Sequence, residues 1–419
     1  MTINKPSRAA SPISRAARAP SFTASWPHQR GALRVWMLWA LALLALLAYA
    51  LWWPVPIRPQ VWQAPADRGY VGAHATNSKL AGLTQWPLGA GQVGPENIVA
   101  HQGQVYTALS NGDIVRVGTE GQIGVVTNTG GRPLGLAITP AGQMFVADAL
   151  KGLLSVNLSE RQPRPRPLLS EVDHPISNDP LRYSDAVAVD RQGVVWLTDA
   201  SRRFSVQQYG GTFEASVLDI LEHSCTGRIV VYDPATRRNR VVLDGLCFPN
   251  GLAFTRDGKH LLVSETGAMR ILKIDLARLS VTRSTQGMSS VPLIKNAIDQ
   301  GAVQVLIDNL PGYPDNLTVG QNGRIWTGLT KPRSPLIDAS ADKPWLRSMM
   351  LRLPRALWPV PKAYGHVIAF DEQGRILDDL QDPAGAYPET TAATEVNGRL
   401  FVQSLNARTV GWMPYPTKP

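Results

Sequence analysis

Short apolar strands alternate with polar turns from about residue 85 to the C-terminus. Each unit reads as a polar turn, an apolar strand, a glycine-centred turn and a second β-rich strand. The six copies of this unit open at Gly94–Ala100, Arg132–Ile138, Tyr183–Val189, Pro249–Phe254, Pro314–Val319 and Pro388–Ala393. Further strands follow most copies, and four strands per repeat at a spacing of 40–75 residues predict the blades of a β-propeller. The segment Thr84–Leu88 is available to close the ring against the sixth copy.

The predicted fold class is therefore all-β, a six-bladed β-propeller preceded by a single N-terminal transmembrane helix. A β-sandwich would not repeat the same turn-and-strand unit six times. A Rossmann fold would alternate strands with helices around a glycine-rich phosphate loop, and the sequence has no such pattern.

The transmembrane prediction rests on Val35–Trp53, nineteen residues without a charge. At ~1.5 Å per residue a helix of this length covers roughly 28 Å, close to the apolar thickness of a bilayer. We expect residues 1–34 to form a basic, disordered cytoplasmic tail, 35–53 a signal-anchor helix, 54–80 a proline-rich linker and 81–419 the propeller. A signal peptide cleaved after Ala50 is the alternative interpretation.

Charge argues for this topology and against a nucleic-acid partner. The formal net charge is +10, but residues 1–34 supply six basic and no acidic side chains. The rest of the chain is nearly balanced and lacks the footprint that a phosphate backbone requires. Because basic residues favour the cytoplasmic side of a membrane, the propeller is expected on the periplasmic, lumenal or extracellular side.

Two cysteines, Cys225 and Cys247, flank a predicted hairpin. Its turn near Thr236 is eleven residues from each, so the hairpin would place the cysteines opposite each other. An oxidising compartment would allow a disulfide between them, and two small buried thiols are the alternative.

Oxygen-bearing side chains recur just before or within the first strand of four repeats. They are Glu96, Ser184 and Asp185, Asn250, and Asp315 and Asn316. The first strands of the blades line the propeller axis, so these groups are expected to converge at one mouth. Carboxylate and amide oxygens suit Ca²⁺, and ordinary turn chemistry is the alternative for each residue taken alone.

Several short sequence motifs resemble those of the strictosidine synthase-like family, and in particular of its membrane-anchored branch. They include Gly94-Pro95-Glu96, Arg132-Pro133-Leu134-Gly135, Trp196-Leu197-Thr198-Asp199, Phe248-Pro249-Asn250-Gly251 and Tyr313-Pro314-Asp315-Asn316. The wider group contains gluconolactonases and paraoxonases. The resemblance implies a six-bladed propeller with one axial calcium that hydrolyses lactones or esters.

The family's metal ligands match Glu96, Asn250 and Asp315, with Asn316 beside the last. A fourth ligand, an asparagine in the family, falls at Ser184, and the aspartate that follows is kept as Asp185. We therefore expect a more loosely held calcium. The catalytic glutamate of the true synthases falls at Thr391, so alkaloid synthesis is not expected.

These observations predict a calcium-dependent lactone or ester hydrolase in which Asp315 and Glu96 are the candidate catalytic groups. The alternative is a non-catalytic, membrane-tethered propeller that binds a ligand or protein. His101, His174 and His366 are further candidates for a general base, although each is more simply an ordinary structural histidine. An insertion at Arg333–Arg355 is expected to be a packed loop over the channel, with a membrane or partner contact as the other interpretation. The expected partners are a small lactone or ester and, through residues 35–53, a lipid bilayer.

Overall fold

A computed structural model describes residues 28–173, 179–280, 301–358 and 360–415. The predicted tail up to residue 27 and His174 lie outside the described residues. The chain divides into two units, Met1–Trp53 and Pro54–Pro419. The first contains helix α1 (His28–Trp52), whose stretch Arg34–Trp52 has a mean hydropathy of 2.1 and is long enough to cross a membrane.

The second unit is a six-bladed β-propeller, which confirms the predicted fold class. Its strands are β1 (Thr84–Pro87), β2 (Ile98–His101), β3 (Gln104–Ala108), β4 (Asp113–Val117), β5 (Ile123–Asn128), β6 (Pro133–Ile138), β7 (Gln143–Asp148), β8 (Gly152–Asn157), β9 (Arg166–Leu169), β10 (Glu171–Val172), β11 (Asp179–Pro180), β12 (Ser184–Val189), β13 (Val195–Asp199), β14 (Gly227–Asp233), β15 (Arg238–Leu246), β16 (Pro249–Phe254), β17 (His260–Glu265), β18 (Arg270–Asp275), β19 (Val303–Ile307), β20 (Gly312–Val319), β21 (Ile325–Pro332), β22 (Gly365–Phe370), β23 (Ile376–Asp382), β24 (Thr390–Val396), β25 (Arg399–Ser404) and β26 (Thr409–Pro414).

The blades follow the chain as antiparallel four-stranded sheets. They are β2–β5, β6–β9, β12–β15, β16–β19 and β20–β23, and the sixth combines β24–β26 with β1. In this last sheet Thr84 pairs with Trp412 and Pro87 with Thr409, so the predicted closing strand does close the ring. The strands β10 and β11 form a separate two-stranded ribbon.

Helical segments are inserted mainly into the third and fifth blades. They are α2 (Val206–Tyr209), α3 (Thr212–Glu222), α4 (Leu276–Ser280), α5 (Pro335–Ala339) and α6 (Pro344–Met350), with 3₁₀ turns at Gly72–His74, Thr266–Ala268 and Arg355–Leu357. Between β13 and β14, α3 packs its buried face (Ala215, Leu218, Leu221) against Phe204 and Phe248. The insertion between β21 and β22 joins the same apolar cluster through Ile337 and Met350.

Adjacent innermost strands approach one another closely around the axis, and two glycines show how closely. A Cβ on Gly135 of β6 would lie 2.6 Å from the backbone oxygen of Asp185 in the next blade. A Cβ on Gly251 of β16 would lie 2.2 Å from the backbone nitrogen of Leu317. Since these contacts are with backbone atoms, only glycine fits, and the starts of the innermost strands meet at the axis.

The proline-rich segment from residue 54 to residue 80 is part of the propeller unit, although the sequence predicts a linker there. Ile57 is buried, and the backbone amides of Gln60 and Trp62 donate to the carbonyls of Glu222 (2.8 Å) and Ala341 (3.2 Å). The Trp62 ring stacks on His223 with 4.1 Å between ring centroids. Proline prevents a helix here, and the extended backbone pairs with the inserted helices and loops instead.

Cys225 and Cys247 are joined by a disulfide just outside the β14–β15 hairpin. Gly227 at the start of β14 pairs with Leu246 at the end of β15, which brings Cys225, two residues before β14, close to Cys247, the residue after β15. The covalent bond therefore closes the open end of the hairpin.

Candidate functional site

Four predicted ligand residues meet in one cavity at the propeller axis. Glu96 lies two residues before β2, while Asp185, Asn250 and Asp315 lie near the starts of β12, β16 and β20. All four are between 3% and 6% exposed, and they line a cavity of about 180 Å³. Because each comes from a different blade, their convergence depends on closure of the ring.

A cation that the sequence analysis did not assign to the site, Arg132, also lines this cavity. It precedes β6 in the second blade, and its Nη2 lies 2.6 Å from Glu96 Oε2. With Glu96, Asp185 and Asp315 ionised, one guanidinium leaves two negative charges on the cavity wall. A divalent cation would balance that charge.

Burial and mutual repulsion alter the titration of the three acids. Burial raises the pKa of Glu96, and the charge of Arg132 offsets part of the rise. Burial and the charge of Glu96 raise the pKa of Asp315 well above its usual range. Burial, Asp315 and Glu96 do the same to the pKa of Asp185. Without a cation the cavity therefore retains protons, and a bound cation would displace them.

The donor set fits a hard divalent cation. Within the described residues, the side-chain oxygen Oδ1 of Asn250 is buried and has no hydrogen-bond partner. Three carboxylates and a free amide oxygen are the ligands that Ca²⁺ takes. Across the described chain, the carboxylate oxygens of Glu96, Asp185 and Asp315 do not all lie within 4.8 Å of one another. They line the cavity rather than enclose one point, so binding one ion through all three requires the carboxylates to move closer together.

Ser184 and Asn316 are not among the residues that line this cavity in the described structure. Asn316 instead links two blades, because its side-chain amide donates to the backbone oxygen of Glu96 (3.0 Å). Its backbone amide donates to Asp315 Oδ1 at 2.9 Å and so orients that carboxylate. Asp185, rather than Ser184, presents the third-blade oxygen to the cavity.

Thr391 lies close to the axis, where its hydroxyl donates to the backbone oxygen of Glu96 at 2.5 Å. The neighbouring acid Glu389 lines the cavity and forms an ion pair with Lys331 at 2.5 Å. A hydroxyl engaged with backbone offers no base, and Glu389 is neutralised by its lysine.

Apolar side chains form the outer wall of the cavity. They are Phe213, Val217, Ile220 and Leu221 from α3, Phe248 before β16, and Ile337, Val360 and Pro361 from the fifth-blade insertion. The cavity thus combines acidic groups at the axis with an apolar wall formed by α3, Phe248 and the fifth-blade insertion. This arrangement suits a molecule with a polar reacting group and an apolar body.

The two candidate histidines that the structure describes, His101 and His366, are not at this site. His101 ends β2, and His366 is the second residue of β22; neither lines the cavity in the described structure. His366 instead contacts Asp379 near the outer edge of the fifth blade. Tyr183, which the sequence analysis missed, does line the cavity, and its hydroxyl donates to the backbone oxygen of Thr212 at 3.0 Å.

Two family models match parts of this chain, and a solved propeller superimposes on it. A family model described as strictosidine synthase matches residues 185–277, and one described as strictosidine synthase-like, N-terminal, matches 72–117. The propeller of a gluconolactonase from Xanthomonas campestris superimposes with a TM-score of 0.53 at 15% identity, covering 86% of this chain and 99% of that one. At this identity the likeness shows the fold alone.

Curated relatives extend the match over most of the chain. Protein STRICTOSIDINE SYNTHASE-LIKE 13 of Arabidopsis thaliana is 29% identical over 68% of this chain, although the match spans only 62% of that protein. The human adipocyte plasma membrane-associated protein is 28% identical over 75% of this chain and 74% of its own length. Protein STRICTOSIDINE SYNTHASE-LIKE 6 of Arabidopsis thaliana is 30% identical, with 72% of each chain covered. The chain belongs to the strictosidine synthase-like family.

Proposed function

We propose that this protein is a calcium-dependent hydrolase of lactones or esters. The observation that carries the proposal is the convergence of Glu96, Asp185, Asn250 and Asp315 on one cavity with an apolar outer wall. The unpartnered amide oxygen of Asn250 supports a cation as the missing neighbour.

Each residue has a distinct role in this proposal. Glu96, Asp185, Asn250 and Asp315 hold the cation, and Arg132 fixes the orientation of Glu96 through their 2.6 Å contact. When bound, Ca²⁺ supplies a positive centre that polarises a carbonyl and stabilises the negative charge developing on its oxygen.

Asp315 is the better candidate for proton transfer. In the cation-free cavity, burial and the charge of Glu96 raise its pKa, so a carboxylate oxygen that the cation leaves free is a basic proton acceptor, and Asn316 orients its Oδ1. The ion pair with Arg132 makes Glu96 a weaker base than a free carboxylate, so Glu96 is assigned to the cation and not to proton transfer. The wall formed by Phe213, Val217 and Ile220 would receive the apolar part of the substrate and exclude water.

The family name does not extend to alkaloid synthesis here. A synthase of this kind needs a base at the position of Thr391, and that hydroxyl is hydrogen-bonded to the backbone of Glu96. A gluconolactonase among the superimposable propellers is in keeping with a hydrolytic site instead.

The proposed location is a membrane, with the propeller outside the cytoplasm. Helix α1 is long and apolar enough to span, and one relative is named as plasma membrane-associated. The basic residues that precede the span and the disulfide that follows it both favour a cytoplasmic N-terminus.

The test is turnover by the full chain in detergent against a panel of lactones and aryl esters, with calcium and with chelator. We expect chelator-sensitive hydrolysis that falls at least about a hundredfold in Asp315→Asn and Asn250→Ala. Asn111→Ala, an exposed amide in a first-blade turn, is the matched control and should keep full activity. Stabilisation by calcium without turnover of any panel member would favour the non-catalytic binding platform. No calcium effect at all would overturn both the metal site and the hydrolase.

A further inference from the structure

A second cluster of potential metal ligands lies away from the axis, between the N-terminal segment and the fifth blade. His74 Nδ1 lies 2.8 Å from Asp379 Oδ2, and His366 Nε2 lies 3.0 Å from the same oxygen. All three ligand atoms are within 4.8 Å of one another. His74 ends the 3₁₀ turn Gly72–His74, His366 is the second residue of β22 and Asp379 lies in β23.

The orientation of Asp379 is fixed from its other side. Its Oδ1 accepts hydrogen bonds from the side-chain amides of Asn77 (3.1 Å) and Gln381 (2.5 Å). Two amide donors on one oxygen direct the second oxygen toward the imidazoles. Outer contacts of this kind orient the ligands of natural metal sites.

The cluster is sheltered on one side and open on the other. The side chains of His366 and Asp379 are 1% and 5% exposed, whereas His74 is 18% exposed. The rings of Tyr70 and Tyr364 stack at 5.0 Å, and Tyr70 lies 5.7 Å from the His366 ring. Within the described chain, His366 Nδ1 is buried without a partner, so the contact with Asp379 does not by itself satisfy the ring. An ion could enter beside His74.

We propose that His74, His366 and Asp379 bind a zinc-type transition-metal ion at a site separate from the axial one. Two imidazole nitrogens and one carboxylate oxygen are borderline ligands that select Zn²⁺ or a similar ion over Ca²⁺. Three protein ligands leave a position for water, on the side where His74 is exposed. None of the three residues lines the axial cavity in the described structure.

A third group of ligand atoms in the described chain lacks this capacity. His223 lies beside Cys225 and Cys247, but both sulfurs are used in the disulfide. No thiolate is available there unless the bond is reduced.

The site has a clear structural consequence. It joins residues 70–80, which come before the first strand of the propeller, to the outer strands of the fifth blade. Ion binding would therefore add to folding stability and hold this segment in place, because the ligands are brought together only in the folded chain.

The probe is Zn²⁺, added without any other ligand. The full chain in detergent is first stripped of metal with a chelator and then given excess calcium to fill the axial site. Zinc is titrated into this sample and followed by calorimetry. We expect one equivalent to bind, and we expect that binding to be lost in His74→Gln. Asn77→Ala removes an outer contact and should weaken binding by about 10–100-fold. Co²⁺ bound in place of Zn²⁺ should give a visible absorption band in the wild-type protein. The His74→Gln variant should lack this band.

Two control variants separate this site from others. Asp315→Asn, which damages the axial cavity, should bind zinc as the wild type does. His101→Gln, at the end of β2, should also leave the titration unchanged. His74 is partly exposed, so its variant is expected to fold, and circular dichroism checks this independently of metal binding. Equal zinc binding by His74→Gln, or no binding by the wild type at about 10 µM zinc, would overturn the proposal and would leave the axial hydrolase untouched.

Discussion

The guanidinium of Arg132 pairs with the carboxylate of Glu96 across 2.6 Å, and the pair joins the second blade to the first inside an acidic cavity. Both side chains are largely buried, so neither charge is well solvated. The pair thus sets how much negative charge the cavity presents to a cation.

Arg132→Met should make the fold depend on calcium. Removing one member of a buried pair leaves the other uncompensated, which costs about 3–5 kcal/mol in comparable cases. The extra negative charge should also bind a cation more tightly. We therefore expect a lower melting temperature than wild type in chelator and a larger rise when calcium is added.

The matched control for this variant is Arg166→Met, which removes an exposed arginine from its 2.6 Å contact with Glu160. Exposed pairs contribute at most about 1 kcal/mol, so its melting temperature should hardly change. Identical calcium-induced shifts in Arg132→Met and wild type would contradict the prediction.

Two neighbours in β12 should differ in their effect on calcium binding. Asp185 lines the cavity, whereas Ser184 does not in the described structure. Asp185→Ala should weaken calcium binding by at least about tenfold, because it removes a charged ligand. Ser184→Ala removes a hydroxyl that has no hydrogen-bond partner among the described residues and should leave calcium affinity and stability nearly unchanged. Calorimetric titration of both variants tests this, and a reversed order would reassign the third-blade ligand.

The repeats could be predicted because each blade repeats one local pattern of turn, buried strand and turn. The convergence of Glu96, Asn250 and Asp315 follows from that pattern, since equivalent positions of a ring meet at its axis. The role of Arg132 does not follow from the repeat pattern, because an arginine before a proline is typical of an ordinary turn. Its direction depends on a carboxylate 36 residues away in another blade.

The path of residues 54–80 could not be predicted from the local sequence pattern either. Its prolines predict an extended chain, but they do not say which surface that chain follows. His74 and Asp379 are 305 positions apart and meet only because this segment runs back along the fifth blade. The sequence therefore singled out His366 without indicating its partners.

Asp219 should give the protein a measurable pH dependence. Burial raises the pKa of this α3 carboxyl from 3.8 to about 7. Because the folded state holds the proton more tightly, the stabilising contribution is complete below about pH 4 and is lost as the pH rises through about 7. The loss is at most about 1.4 kcal/mol per pH unit.

Asp219→Asn imitates the protonated form and should remove this component. Urea unfolding should give similar stabilities for variant and wild type near pH 4 and a more stable variant above pH 7. Asp308→Asn, an exposed carboxylate, should follow the wild type at every pH. A constant difference across the range would mean that Asp219 does not titrate as described.

Loss of the disulfide should destabilise the propeller without changing its fold. The bond spans 22 residues, and closing a loop of this length contributes about 3 kcal/mol by restricting the unfolded chain. Cys225→Ser with Cys247→Ser should unfold at a lower urea concentration, and reduced wild type should match it. A difference of less than about 1 kcal/mol would show that strand pairing alone holds the hairpin.

Pairing of β1 with β26 has a consequence for synthesis of the protein. The sheet that contains residues 84–87 is incomplete until residues 409–414 have left the ribosome. Until then the earlier blades form an arc with two unpaired strand edges, which are sites for aggregation or chaperone binding. A premature stop just before Thr409 would remove β26 and leave the chain in that open form, so the cell should handle the truncated chain as a misfolded protein.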